Sequence, residues 1–242
     1  MGKKGGRNKL KRLSAPRNWD IARKKNRFVY KPVPGSHPIA RSYPLGVVIR
    51  DLAGLAETGR ELKSITRNGK VHVDGRPVLT ARFPVGLFDV VTVPTEDANF
   101  RMVPSPKGLA LLKVDKSEAG VKLCAVRSKV KTKGGHIQFG LHDGRSIVDD
   151  SLKVAPGDAL LLEVPSQKVI SDVKLEAGSI GLILSGERAG QTGKISEVKK
   201  GTISREKMVK ISLPSGDAEI PSRLVLPVGS EKPLITVVVS QP

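Results

Sequence analysis

The opening stretch MGKKGGRNKLKRLSAPRNWDIARKKNRFVYKP sets twelve Lys and Arg residues against one acid, Asp20. The cations are Lys3, Lys4, Arg7, Lys9, Lys11, Arg12, Arg17, Arg23, Lys24, Lys25, Arg27 and Lys31, and Trp19, Phe28 and Tyr30 stand between them. Ammonium and guanidinium groups neutralise phosphates, and aromatic rings stack on bases or ribose, so this mixture suits a nucleic-acid partner. Three glycines in MGKKGGRN, followed by Pro16, Pro32, Pro34 and Pro38, argue against the amphipathic helix that a transit peptide or membrane-surface segment needs. A segment this polar cannot bury enough apolar surface to fold alone, so it is expected to order only against its polyanion. Deleting residues 1–31 is then expected to weaken binding and leave the remainder folded.

The whole chain must carry that arm. Its 242 residues hold a formal net charge of +19, with a pI of about 10.2, which calls for a polyanionic partner. The excess is uneven: residues 1–50 hold 14 Lys/Arg against one acid, a net +13, and residues 51–242 hold 28 against 22, a net +6. Hydrophobic residues make up 38% and aromatics only 3%, while 25 Gly and 17 Pro are scattered along the chain, a composition that favours short strands and turns in two or three small domains. No apolar run reaches the roughly 18–20 residues of a membrane span, and the start lacks the apolar core of a secretory signal, so the reading is intracellular with no membrane partner. Cys124, in VKLCAVRSKV, has no second Cys for a disulfide or a zinc site and reads as a small buried hydrophobe.

Beyond the arm (1–42), residues 43–105 carry the clearest local signals. Leu45, Val48, Ile49 and Leu52 repeat at helical spacing before Gly54. Thr58 with Glu61 forms a capping box that starts a second helix, which Asn68-Gly69 stops. Arg60, Lys63 and Arg67 share one face of that helix, with Leu62 and Ile65 turned toward a core. KVHVDGRPV then places Asp74-Gly75 at a tight hairpin turn with Arg76 beside it, and FPVGLFDVVTV supplies a returning strand. Two short helices, the V-x-V-D-G-R-x-V hairpin and the G-x-x-D-V-V-x-V closing strand resemble the S-four type of RNA-binding domain. The resemblance implies that Arg60, Lys63, Arg67, Lys70 and Arg76 contact RNA.

Residues 106–172 lack helical periodicity and read as strands between turns: GLALLKV, KLCAVRSKVKTKG, GHIQFGLHDGRSI and KVAPGDALLLEVP, expected to form a central β-barrel. Arg127, Lys129, Lys131 and Lys133 alternate toward Gly134-Gly135 and offer a second RNA-contacting edge. Residues 173–242 contain EAGSIGLILSGERAGQTGKISEVKKG, which resembles the KOW motif: strand, glycine-rich turn at Gly186 and Gly190, second strand from Gly193. That resemblance implies an SH3-like barrel touching RNA or protein, with Arg188 and Lys194 on its RNA-contacting side.

Other signals fail. GERAGQTGK is not a phosphate-binding P-loop, since Arg188 stands where the first Gly belongs and Ile195 where Ser or Thr should follow Lys194. His136 and His142 lack companions in a ligand pattern, Asp149-Asp150 are adjacent and so point apart on a strand, and nothing recommends nucleophilic catalysis, so no cofactor, metal or small-molecule substrate is expected. The fold class expected is α+β, mostly β. The order of arm, S-four-like domain, barrel and KOW-like barrel, with NKLKRLSAPRNW and TKGGHIQFGLHDGRSI, resembles the S-four-e family of small-subunit ribosomal proteins over essentially the whole chain. It implies a non-enzymatic, cytoplasmic constituent of the small subunit, whose partners are small-subunit rRNA and neighbouring ribosomal proteins. The absence of a long extra C-terminal extension looks more archaeal than eukaryotic. The alternative is a KOW-bearing transcription elongation or RNA chaperone factor acting off the ribosome.

Overall fold

The computed structural model describes residues 9–202, 205–214 and 216–237. Lys3, Lys4 and Arg7 therefore lie outside the described residues. The architecture is mostly β with few helices, as composition suggests, and no helix among the described residues is long and apolar enough to cross a membrane.

The arm is the first departure from expectation. Leu10–Lys11 (β1) pairs antiparallel with Phe28–Val29 (β2), in register Leu10 with Val29. Ala15, Trp19 and Val29 are buried in the same core as Tyr43, Leu45, Ile49 and Leu62, and the Trp19 indole stacks on the Tyr43 ring at 5.5 Å between centroids. Apolar placement outweighs apolar count here: a few residues set between cations pack into the core of the next module.

That module starts with Tyr43–Pro44 (β3), paired with Pro84–Val85 (β6). The Leu45 repeat forms one helical turn, Leu45–Val47 (α1), which widens to a π-helix over Val48–Leu52 and ends at Gly54, φ +67°. Helix α2 runs Gly59–Arg67; the Thr58 hydroxyl accepts the Glu61 N–H at 3.2 Å, and the Glu61 carboxylate accepts the Glu57 N–H at 3.0 Å. Next come His72–Val73 (β4), Arg76–Pro77 (β5), Val90–Val93 (β7), Ala98–Ser105 (β8) and Gly108–Lys113 (β9), in the sheet order β5-β4-β7-β8-β9. Asp74 and Gly75 have φ +50° and +73°, the two-residue turn that Asp-Gly announces. The GLALLKV strand thus closes a hairpin on β8 and does not belong with the central strands, so a boundary at 105/106 cuts through paired backbone.

The central sheet comprises Val121–Lys131 (β10), Ile137–Leu141 (β11), Ser146–Val148 (β12), Ala159–Glu163 (β13) and Val169–Val173 (β14), ordered β12-β11-β10-β13-β14. The third comprises Ile180–Ile183 (β15), Thr192–Lys199 (β16), Met208–Leu213 (β17), Gly216–Pro221 (β18) and Val225–Gly229 (β19), ordered β18-β17-β16-β15-β19. Both are antiparallel.

The units are welded by a shared apolar cluster. Phe88 from the first module meets Leu123, Ala125 and Leu161 of the central sheet, Leu182, Leu226 and Val228 of the third, and Ile235 and Val237 beyond it. Phe88 has φ +61°, a conformation costing a bulky residue of order 1–3 kcal/mol, and it is held there fully buried. A second weld is polar: the buried Arg101 guanidinium donates to the Glu118 carboxylate at 2.5 Å and to the carbonyls of Glu118 and Val121, while the same carboxylate accepts from the Thr236 N–H and hydroxyl. Phe88→Ala is expected to cost about 3–5 kcal/mol, read from urea unfolding; a loss below about 1 kcal/mol would mean that Phe88 does not join the units.

Candidate nucleic-acid interface

Helix α2 displays Arg60, Lys63 and Arg67 on its exposed face because Leu62 and Thr66 face inward, and the Thr66 hydroxyl donates to the Leu62 carbonyl at 2.9 Å. Lys70, just past the helix stop, and Arg76, just past the hairpin turn, are also exposed. The turn itself is not free: a Cβ on Gly75 would meet Pro165 at 3.0 Å, and Asp74 is buried. Docking the hairpin on the central sheet fixes the angle at which this cationic face is shown.

On the arm, Lys9, Lys11, Arg17, Lys24, Lys25 and Arg27 are exposed, and none forms an ion pair among the described residues. Arg23 is half-buried and donates to the carbonyls of Ala15 and Pro16 at 2.9 and 2.8 Å; Lys31 is half-buried, and its carbonyl accepts from Arg82. Two expected contacts are corrected. Arg12 is 1% exposed, donating to the Ala22 carbonyl at 2.6 Å and pairing with Asp51 at 3.3 Å, so its charge serves the fold. Trp19 is 2% exposed and its face is taken by Tyr43, so it is not an open stacking platform. Phe28 holds that position instead, about half exposed, with the Lys9 ammonium and the Arg27 guanidinium 5.9 and 5.4 Å from its ring centroid. Tyr30 packs inward and carries the Arg50 guanidinium over its ring.

The lysine row of β10 is divided. A β-bulge between Val126 and Ser128 leaves Arg127 as the extra residue and re-aims it, while Lys129 and Lys131 face Phe139 and Ile137 across the ladder. Lys129 lies over the Phe139 ring and donates to the Val154 carbonyl; Lys131 and Lys133 are exposed. In the third unit, Arg188 and Lys194 are exposed. Gly186 and Gly190 form the turn with φ +102° and +86°, and Gly193 is already inside β16. A Cβ on Gly190 would stand 2.6 Å from the Pro104 carbonyl oxygen, so this turn is pressed against β8.

Beneath these surfaces lies a buried ionic cluster. The Lys122 ammonium is 2.7 Å from Asp74, 2.5 Å from Asp89 and 3.0 Å from Asp143, using all three donors. Arg145 adds contacts to Asp74 at 2.6 Å and Asp143 at 3.3 Å, and His37 reaches Asp89 at 3.1 Å. Remaining lone pairs take backbone N–H groups, Val90 on Asp74 and Gly86 on Asp89. Burial opposes ionisation, but the Lys122 charge, a neighbouring histidine (His37 at Asp89, His142 at Asp143) and the hydrogen bonds together outweigh it, and both carboxylates are held below the usual range. At Asp74 burial and the Asp89 charge win, and its carboxyl is pushed up. The carboxylates conversely hold the Lys122 ammonium well above its ordinary value despite burial.

His142 stands beside this cluster, accepting the Ala125 N–H at Nδ1 (3.2 Å) and donating from Nε2 to the Leu87 carbonyl (3.1 Å). That pair of bonds needs the neutral ring, and burial followed by the Lys122 charge lowers it to about 4. Cys124, His142 and Asp143 offer ligand atoms within 4.8 Å of one another, but both His142 nitrogens and the Asp143 oxygen are committed, and burial pushes the Cys124 thiol up. The one sequence sign of the cluster is Lys122 itself, a lysine inside the apolar run VKLCAV; Asp74 read only as a turn residue, and nothing local marks His37, Asp89 or Asp143 as its partners.

Small antiparallel sheets locked together, presenting on the arm and α2 cations that form no ion pair among the described residues, define a modular basic β-protein. A model described as Ribosomal family S4e matches residues 96–169, and one described as the RS4NT (NUC023) domain matches residues 4–40. The "Small ribosomal subunit protein eS4" of Ignicoccus hospitalis is 38% identical over 242 residues, covering 96% of this chain and 95% of that protein. The protein of the same name from Methanocaldococcus jannaschii is 37% identical over 243 residues, covering 97% and 99%. The crystal structure of the 30S ribosomal protein S4e from Thermoplasma acidophilum superposes with a TM-score of 0.69 at 34% identity, over 78% of this chain and 96% of that one. The chain belongs to the Ribosomal family S4e.

Lys122→Met strands buried carboxylates and is expected to cost about 3–5 kcal/mol in urea unfolding; a near-neutral substitution would show the cluster to be incidental. His142 binds its proton less readily folded than unfolded. Its contribution is therefore complete above its ordinary value of 6.5 and lost as pH falls toward about 4, by at most ~3 kcal/mol. Unfolding free energies measured across that window should fall with acidification, with a shallower slope in His142→Gln; identical slopes would contradict the assignment.

Proposed function

We propose that this chain is a structural constituent of the small ribosomal subunit, binding and organising small-subunit rRNA in the cytoplasm without chemistry of its own. The observation that carries the reading is the conjunction of membership in Ribosomal family S4e with a surface of uncompensated cations, those of the arm and of α2. Phosphate neutralisation by Lys9, Lys11, Arg17, Lys24, Lys25 and Arg27, with Arg60, Lys63, Arg67, Lys70 and Arg76, supplies affinity. Structured RNA is read mostly by shape, and the fixed angles between modules supply that shape. Arg23, Lys31, Lys129, Lys131, Lys133, Arg188 and Lys194 extend the footprint, as do Lys3, Lys4 and Arg7 from the first residues. Neighbouring small-subunit proteins cover part of the remainder.

Within this proposal the chain divides into an arm (1–42), an S-four-like domain, a central barrel and a KOW-type SH3-like barrel, with the β8–β9 hairpin kept in the second unit. Two features favour barrel curvature. Strand β10 gives Val121–Ala125 to β13 and Val126–Lys131, which contains its bulge, to β11; β16 carries a bulge between Ile195 and Glu197.

Sedimentation of a native lysate at low magnesium, with the chain followed by mass spectrometry, should place it with the small subunit at near one copy per rRNA. A chain that stays at the top or follows RNA polymerase would overturn the proposal. In vitro, the triple substitution of Lys24, Lys25 and Arg27 by Gln is expected to flatten the log–log salt dependence of rRNA binding by about 2–3 units. These charge removals are cleaner than truncation, because deleting residues 1–31 also removes Trp19 and Arg12 from the core.

A further inference from the structure

A cavity of about 810 Å³ opens where all the units meet, between the arm, the β8–β9 turn, the β10 bulge and the third sheet. Its size is in the ~300–1,000 Å³ range of small-molecule sites. Arg17, Arg41, Lys107 and Arg127 line it, each from a different stretch of chain, and none has a carboxylate partner among the described residues. Arg223 lines it too, paired at the surface with Glu206 at 3.3 Å, and Asp20 is the one acid in the wall. The rest of the wall includes Leu87, Leu109, Leu184 and Trp19, and the Trp19 indole N–H is buried with no acceptor. Arg41 and Arg127 are exposed neighbours; partial burial and the Arg41 charge lower the Arg127 guanidinium, and neither has an anion partner among the described residues. The bulge that takes Arg127 out of the lysine row is what brings it here.

The geometry points to a site for one unstacked RNA nucleotide, its flanking phosphates met by Arg17, Arg41, Lys107 and Arg127 and its base seated against the apolar wall. This rests on the rRNA-binding reading and names one contact within it. RNA is favoured over an acidic peptide because the wall pairs cations with the apolar Leu87, Leu109 and Leu184 in a cavity whose volume admits a base, whereas a carboxylate side chain would meet only the cations. Phosphates entering here also meet cations of the arm, the second unit and the central sheet at once.

Trp19 is the sole tryptophan, so its emission reports the cavity directly. Full-length protein is titrated with small-subunit rRNA, with oligouridylate, and with polyglutamate as the acidic-peptide arm. Oligouridylate is expected to change Trp19 emission, and Arg41→Gln with Arg127→Gln to abolish the change, weaken oligouridylate binding about tenfold or more and flatten the salt slope by about 1.4. Arg41→Lys with Arg127→Lys, which keeps the charge, should recover most of the affinity, and the surface substitution Lys174→Gln should change neither readout. Unchanged circular dichroism is required of each variant, and Arg17→Gln repeats the test should the double substitution unfold. Equal rRNA and oligouridylate binding by the Gln variant and wild type, with silent Trp19 emission, would overturn this site while leaving the general reading intact. A response to polyglutamate matching that to oligouridylate would overturn the nucleotide assignment in favour of an acidic peptide. Wild-type protein that does not bind rRNA at all would remove the reading on which the site rests.

Discussion

The three carboxylates around Lys122 come from three places in the chain: the hairpin turn at Asp74, the approach to β7 at Asp89 and the turn after β11 at Asp143. No single unit can satisfy this ammonium. In a folded but separated central sheet Lys122 would keep Asp143 and lose Asp74 and Asp89, and those two carboxylates would lose their cation, so undocking is costly even though the cluster's net value over apolar replacements is small. Direction adds to this: two short bonds from Asp74 and Asp89 to one nitrogen that Asp143 also holds define one approach of the first module to the central sheet, which apolar contact around Phe88 alone does not specify. The angle at which α2 shows Arg60, Lys63 and Arg67 follows from that docking.

A very basic protein must keep its positive surface available without collapsing onto its own acids. Here the distribution solves the problem. Asp74, Asp89 and Asp143 are turned inward onto Lys122 and Arg145, and Asp51 is taken by Arg12 and Arg50. The arm and α2 keep cations that face solvent alone. Inter-unit glycines serve the same end: at Gly190 the third unit lies against the Pro104 backbone with no room for a side chain, and the groove that collects Arg17, Arg41, Lys107 and Arg127 forms beside it.

Local features were legible in the sequence because their causes are local. The Thr58 cap, the Asp74-Gly75 turn, the inward Leu62 and the Gly186 and Gly190 turn all follow from near-neighbour geometry, and each is found where residue type places it. What failed was assembly. GLALLKV reads as an apolar strand but carries no sign of its partner, and β8 captures it through a two-residue turn. The even spacing of Arg127, Lys129 and Lys131 hid a bulge, because alternation read from sequence assumes an unbroken ladder. Trp19 and Arg12 misled in the same way: charge density marks a segment as solvated, yet single side chains within it can be fully buried when another module offers the mating surface.

The basic face is therefore built before RNA arrives, with the arm as part of the folded body. Hydrogen–deuterium exchange of the free, full-length protein tests this directly. The Arg12 amide, bonded to the Arg27 carbonyl, and the Trp19 amide, bonded to the Pro16 carbonyl, should be protected together with the amides of β7 and α2. Exchange of residues 10–30 at unstructured-peptide rates in the free protein, slowing only when rRNA is added, would contradict it and return the arm to a segment that folds on binding.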